Sequence, residues 1–127
     1  MTIRTDVPTR LFANIDSGQF QQGLLNLVRN AIDASHPGDV VKVSGLCEDA
    51  AIRVEIENAG RPISVEVVER IFEPFFTTKP GGTGLGLAIA RNIARGHGGD
   101  LVLSRNLRDL VEFAMTLPID TSAAEKL

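Results

Sequence analysis

The chain has 127 residues and is 43% apolar and 23% charged, which is the balance of an ordinary soluble globular domain and leaves room for one hydrophobic core. A formal net charge of −3 and the absence of Trp and Tyr argue against a nucleic-acid surface. Cys47 is the only cysteine, which excludes an internal disulfide and a cysteine-cluster metal site. No apolar run approaches the roughly 20 residues of a spanning helix, and Met1–Asp6 lacks signal-peptide order, so a cytoplasmic location without membrane contact is expected.

Two short apolar runs, 2–6 and 11–15, read as strands around a Val7-Pro8-Thr9 turn. Asp16-Ser17-Gly18 offers capping residues before a helix at about 18–35. There Phe20, Leu24, Leu27, Val28, Ala31 and Ile32 recur at helical spacing and predict a core-facing stripe. Asn26, Asn30 and Asp33 stand at i, i+4 and i+7, sharing another face of that helix. Amide oxygens of Asn are suited to a hard cation such as magnesium.

Alternation of apolar and polar residues predicts an antiparallel pair over 40–46 and 52–57, with Val41, Val43, Ile52, Val54 and Ile56 inward. Cys47 is expected to be a small buried hydrophobe of that pair. Asn58-Ala59-Gly60-Arg61-Pro62 ends the second strand, and Ser64 is placed to cap a helix over 65–72. The stretch from Phe72 to Leu87 passes from an aromatic cluster into a loop broken by Pro74 and Pro80 and rich in glycine. A helix follows from Leu85 onward, and its first turn would turn free N–H groups towards the glycines, an arrangement that attracts phosphate. Two last strands are expected over 100–104 and 112–117, and 121–127 reads as a tail after a single domain of residues 1–120. The element order predicts an α+β fold, a two-layer α/β sandwich with a mostly antiparallel mixed sheet and three helices on one face.

Four stretches carry a resemblance. Asn26-Leu27-Val28-Arg29-Asn30-Ala31, Asn58-Ala59-Gly60-Arg61-Pro62-Ile63, Ile71–Lys79 and Gly82-Thr83-Gly84-Leu85-Gly86-Leu87 resemble, in order and spacing, the N, G1, F and G2 boxes of the catalytic, ATP-binding domain of bacterial sensor histidine kinases, which has the Bergerat fold. The likeness runs from about Ile15 to Pro118. It implies ATP and Mg2+ as ligands, with Asn30 holding the metal that bridges the phosphates and Asn26 assisting at the phosphate end. It also implies nucleotide contacts at Asn58, Gly60, Lys79, Gly82, Thr83, Gly84, Leu85, Gly86 and Leu87. Residues 73–83 would form a mobile ATP lid anchored by Phe72, Phe75 and Phe76, with 77–84 ordering only on nucleotide.

Related gyrase-type ATPases carry a glutamate general base where this chain has Asn26, which accepts no proton at neutral pH, so transfer to a protein acceptor fits better than hydrolysis. The G1 stretch departs from the family pattern, since Asn58 stands where an aspartate usually accepts the adenine amino proton, and Pro62 replaces a glycine. A neutral acceptor should hold adenine less strongly. Leu110-Val111 likewise replaces a usual Gly-Thr ahead of Phe113. Neither His36 nor His97 has the setting of a phospho-acceptor, so the chain reads as one domain of a longer kinase, monomeric when isolated. Its γ-phosphoryl group would go to a histidine on a separate dimerisation domain and thence to a response regulator. An anti-sigma-type protein-serine kinase and a pseudokinase docking module with weak nucleotide binding are alternatives that share these motifs.

Overall fold

In the computed structural model, residues 2–6, 17–48, 51–78 and 81–118 are described. The expected strand at 11–15, Lys79 in the lid and the tail at 121–127 lie outside these residues. Eight elements follow one another: β1 (Thr2–Asp6), α1 (Ser17–Asp33), β2 (Val40–Glu48), β3 (Ala51–Asn58), α2 (Val65–Val68), α3 (Gly86–Gly96), β4 (Asp100–Leu107) and β5 (Leu110–Pro118). The strands form one sheet in the order β1-β2-β3-β5-β4, parallel between β1 and β2 and antiparallel elsewhere.

The β3 pattern fixes the register because each alternate residue must reach the core. Ile52, Val54 and Ile56 are buried, and the intervening residues are half-buried on the other face. Val41 and Val43 from β2, Leu101 from β4, and Val111, Phe113, Met115 and Leu117 from β5 complete the sheet's apolar side. Leu27 and Ala31 of α1 and Ala90 and Ala94 of α3 close over it, which makes the two-layer sandwich the sequence predicts. Small residues let these helices come close. A Cβ on Gly23 of α1 would lie 3.3 Å from Met115 Cε and 3.6 Å from Ile93 Cδ1 of α3.

Three local expectations are corrected. The helix expected over 65–72 is a single turn, because after Val68 and Glu69 the bonds tighten: Arg70 N–H donates to Val67 O, and Glu73 N–H to Arg70 O. In these i→i+3 turns Ile71 is buried and Phe72 packs against the core. Cys47 is exposed, not buried. β1 pairs with β2 only as far as Ser44, so Cys47 stands at the far end of an edge with β3 as its only described neighbour strand. Phe75 is 76% exposed and takes φ +69°, so its ring turns outward and anchors nothing. Phe72 and Phe76 are the rings that make contacts. Phe72 meets Phe113 edge to face at 6.2 Å under the Arg91 guanidinium, and Phe76 lies 4.5 Å beneath Arg70.

Candidate nucleotide site

A cavity of about 720 Å³ opens between α1, the 58–67 segment, the 76–84 loop and the start of α3. Its size is that of a small-molecule site. Asn26, Asn30 and Asp33 all line it, so the polar face read from the helical spacing is one wall. Gly82, Thr83, Gly84, Gly86 and Leu87 line the opposite side.

The wall at α3 is built to meet an anion. Leu85 is the residue before the helix and supplies no side-chain cap, so the first N–H groups of α3 are left to the cavity. Thr83 Oγ1 accepts from Leu85 N–H at 3.3 Å and holds the approach to the helix. Gly86 borders Asn26, whose Cβ lies 3.9 Å from where a Gly86 Cβ would stand. Gly84 has a second duty. It takes φ +72°, its carbonyl accepts from Phe75 N–H at 2.9 Å, and a Cβ would lie 2.7 Å from both Phe75 O and Phe76 N. Only glycine lets the two ends of the 75–84 loop meet this closely.

The other end is apolar and centred on Asn58. This side chain is 3% exposed at the end of β3, paired with Val41 on one side and Val111 on the other. Ile63, Val67, Ile71, Val111 and Phe113 surround this part of the cavity. Gly60 lies behind Asn58 and does not line the cavity. Its Cα leaves space that a Cβ would take from Asn58 Nδ2 at 2.8 Å, with the Ala34 carbonyl 3.4 Å away. Asn26 at the α3 end and Ala34 at the Asn58 end are eight residues apart along α1, about 12 Å at helical rise. The cavity is therefore long, with a polar end and an apolar end.

Of the residues the sequence singles out, Asn26, Asn30, Asn58, Gly82, Thr83, Gly84, Gly86 and Leu87 are brought together around this space. Gly60 and Leu85 support it from behind. Sequence reasoning misses Asn106, which braces the apolar end from β4. Its Oδ1 accepts from Ile63 N–H and its Nδ2 donates to Ile63 O, each at 2.7 Å, while Asp109 N–H donates to Gly60 O at 3.1 Å. Asn106 falls beyond the strand expected over 100–104, where an Asn reads as an ordinary turn residue, and only the extension of β4 to Leu107 brings it to Ile63. Arg29 and Arg61 also line the cavity and add positive charge. His97 is a helix terminator, its Nδ1 2.8 Å from Ile93 O, and His36 is exposed.

Comparison with known proteins shows which family the chain belongs to. Residues 15–121 match the family model described as histidine kinase-, DNA gyrase B- and HSP90-like ATPase. The chain belongs to this family. Within it, the chain is 36% identical over 105 residues to the sensor histidine kinase ZraS of Escherichia coli O157:H7, covering 83% of the chain and 23% of ZraS. It is 38% identical over 106 residues to the sensor protein FixL of Bradyrhizobium diazoefficiens, covering 81% of the chain and 21% of FixL. The chain thus spans less than a quarter of the length of these two relatives. The catalytic domain of histidine kinase ThkA, in a nucleotide-free form, superposes with a TM-score of 0.81 at 39% identity over 93% of this chain and 77% of that one. Full-length ShkA in complex with AMPPNP gives 0.78 at 28% identity over 93% of this chain and 25% of that one. This is an ATP-binding catalytic domain of the sensor-histidine-kinase type, and the two-layer fold stands as the sequence implies. Among the described residues, no helix is long and apolar enough to cross a membrane.

Proposed function

We propose that this domain binds ATP with its triphosphate along Asn26, Asn30 and the N-terminus of α3 and its base in the apolar end at Asn58, and donates the γ-phosphoryl group to a histidine on a separate dimerisation domain. The observation that carries the reading is the two-ended cavity: a flat base suits the Ile63, Val67 and Phe113 end, and an uncapped helix start suits phosphate.

Among the described residues, no group of three or more His, Cys, Asp or Glu side chains is placed to hold a metal by itself. Magnesium needs no such cage, because it takes most of its ligands from water and from the phosphates it accompanies. The amide oxygens of Asn30 and Asn26 on the cavity wall fit that habit, and the bound ion would supply neutralisation of the phosphate charge.

Phosphoryl transfer asks the enzyme mainly for position and charge, and these residues supply both. The acceptor imidazole's lone pair would form the new P–N bond as the β–γ bridging P–O bond breaks and ADP leaves. Asn26 supports this over hydrolysis, because an amide cannot take a proton from water. A response regulator would then accept the phosphoryl group.

Titration calorimetry with AMPPNP and magnesium should show binding that Asn30→Ala weakens at least about tenfold, as expected for a charge-linked contact of about 1.4 kcal/mol or more. Adding a histidine-bearing helical domain and γ-labelled ATP should then yield acid-labile phosphohistidine. Phosphoserine instead would favour the anti-sigma type of kinase, and no nucleotide binding at all would favour a docking module.

A further inference from the structure

Asn58 is the one buried side chain among the described residues whose polar atom has no partner. Its Nδ2 is fully enclosed and makes no hydrogen bond, while the residue itself lines the cavity. Its strand neighbours Val41 and Val111 and the nearby Ile71 and Phe113 are apolar, and Gly60 sits against it. A buried amide donor without a partner is costly, and Nδ2 as placed faces Gly60 at the back of the cavity, so no hydrogen bond holds the amide in this one orientation.

The chemistry of an amide differs here from that of a carboxylate in kind as well as strength. A carboxylate only accepts, so it pairs with the 6-amino group of adenine and repels a carbonyl oxygen in the same place. An amide both donates and accepts, and a half-turn about its terminal torsion exchanges the two. One orientation, the one observed, leaves the amide oxygen to accept from N6–H of a 6-aminopurine. The other turns the N–H to the cavity to donate to O6 of a 6-oxopurine. Each is a single hydrogen bond to the group at position 6 of the base. The strand neighbours Val41 and Val111, and Ile71 and Phe113 of the lining, carry no polar side-chain group that would favour one edge over the other.

We propose that Asn58 makes this site a purine site, taking 6-oxopurine triphosphates such as ITP and GTP alongside ATP. The inference rests on the placement of the base given under Proposed function. The chain's own triphosphate contacts are common to all these nucleotides, so only the base edge separates them.

The test is competition calorimetry on the whole chain with magnesium, comparing AMPPNP, ITP and GMPPNP, for the native protein and Asn58→Asp. ITP isolates the edge, since it differs from ATP only there, whereas GMPPNP adds a 2-amino group that needs room. The native protein should bind ITP within about tenfold of AMPPNP, and Asn58→Asp should widen that ratio at least about tenfold by losing ITP while keeping AMPPNP. Native protein that binds AMPPNP but rejects ITP by about a hundredfold overturns this inference and leaves the ATP reading standing. An unchanged ratio in Asn58→Asp overturns it too. If AMPPNP itself does not bind, the placement of the nucleotide fails and this inference with it. Should the Asp variant not fold, the native ratio decides alone.

Discussion

Gly84 and Gly81 lie three residues apart in the same loop and take almost the same backbone angle, φ +72° and +74°, yet their surroundings differ. Alanine at either position meets the left-handed penalty of about 1–2 kcal/mol. At Gly81 nothing lies within 4 Å of the new Cβ, so that penalty is the whole effect. At Gly84 the Cβ would also stand 2.7 Å from Phe75 O and Phe76 N, both main-chain atoms, and relief requires parting the 2.9 Å bond from Phe75 N–H to Gly84 O. Loss of that bond adds about 1 kcal/mol. Gly84→Ala should therefore cost about 2–3 kcal/mol and Gly81→Ala about 1–2 kcal/mol, the difference being the contact alone. Strain that opens the loop before ATP arrives is read as weaker binding, and strain retained in both states is read as lower stability. The relevant quantity is thus the sum of the changes in unfolding and AMPPNP-binding free energies, from urea titration and calorimetry. A Gly84→Ala sum within about 0.3 kcal/mol of that for Gly81→Ala, the usual error of such comparisons, refutes the close crossing of the loop ends.

Gly99→Ala should be far worse than Gly96→Ala. A Cβ on Gly99 would run into the Thr116 carbonyl and stand 3.3 Å from Leu117 Cα, on a strand held by neighbours on both sides, whereas Gly96 faces open space at the end of α3. We expect a fall in melting temperature of more than about 10 °C for the first and no fall for the second by circular dichroism; a Gly99→Ala melt close to wild type contradicts the packing of the 97–99 turn on β5. On the sheet's other face, the Glu112 hydrogen bond, then burial and the Glu112 charge, push the Glu55 carboxyl above its usual range. Burial pulls Glu112 upward too, but its bonds to Glu55 and Ser104 and the Arg105 charge overcome this and leave it below. Glu55 is thus the proton carrier, and its contribution is full below about pH 4.3 and lost as pH rises through its raised value. Glu55→Gln keeps a donor at every pH, so it should match wild type near pH 4 and exceed it by up to about 1 kcal/mol near pH 8. Identical pH profiles in urea titration count against the shared proton.

What the sequence makes legible is what local physics decides. Period two in Ile52-Arg53-Val54-Glu55-Ile56 and period 3.6 in Phe20–Ile32 each admit one buried face, and the structure buries it. The site residues follow from the same rules, since Asn26 and Asn30 must share a face and an uncapped helix after glycines must offer N–H groups. Partners distant in sequence leave no such mark. The parallel pairing of β1 with β2, and the Asn106 clamp 43 residues from Ile63, depend on where whole elements settle. Phe75 and Cys47 mislead for a related reason. Their apolar chemistry predicts burial, but a positive φ turns one ring outward, and the end of the β1 pairing leaves the other thiol at an edge.

The two ends of the cavity are joined by α1, and this makes their effects separable. Asn26 abuts Gly86 at one end, and the Ala34 carbonyl lies beside Gly60, which sits against Asn58, at the other, with about two turns of helix between them. A loop variant such as Gly84→Ala acts on the phosphates, which every nucleoside triphosphate shares, so it should weaken AMPPNP and ITP by the same factor. Asn58→Asp acts on the base edge and changes their ratio. Because these sites share no contact, their free energies should add, and the double variant should show the single-variant ratio on a uniformly weakened scale. A ratio that moves with the loop variant would mean that loop closure and base reading are one event, in which case the length of α1 does not insulate the two ends.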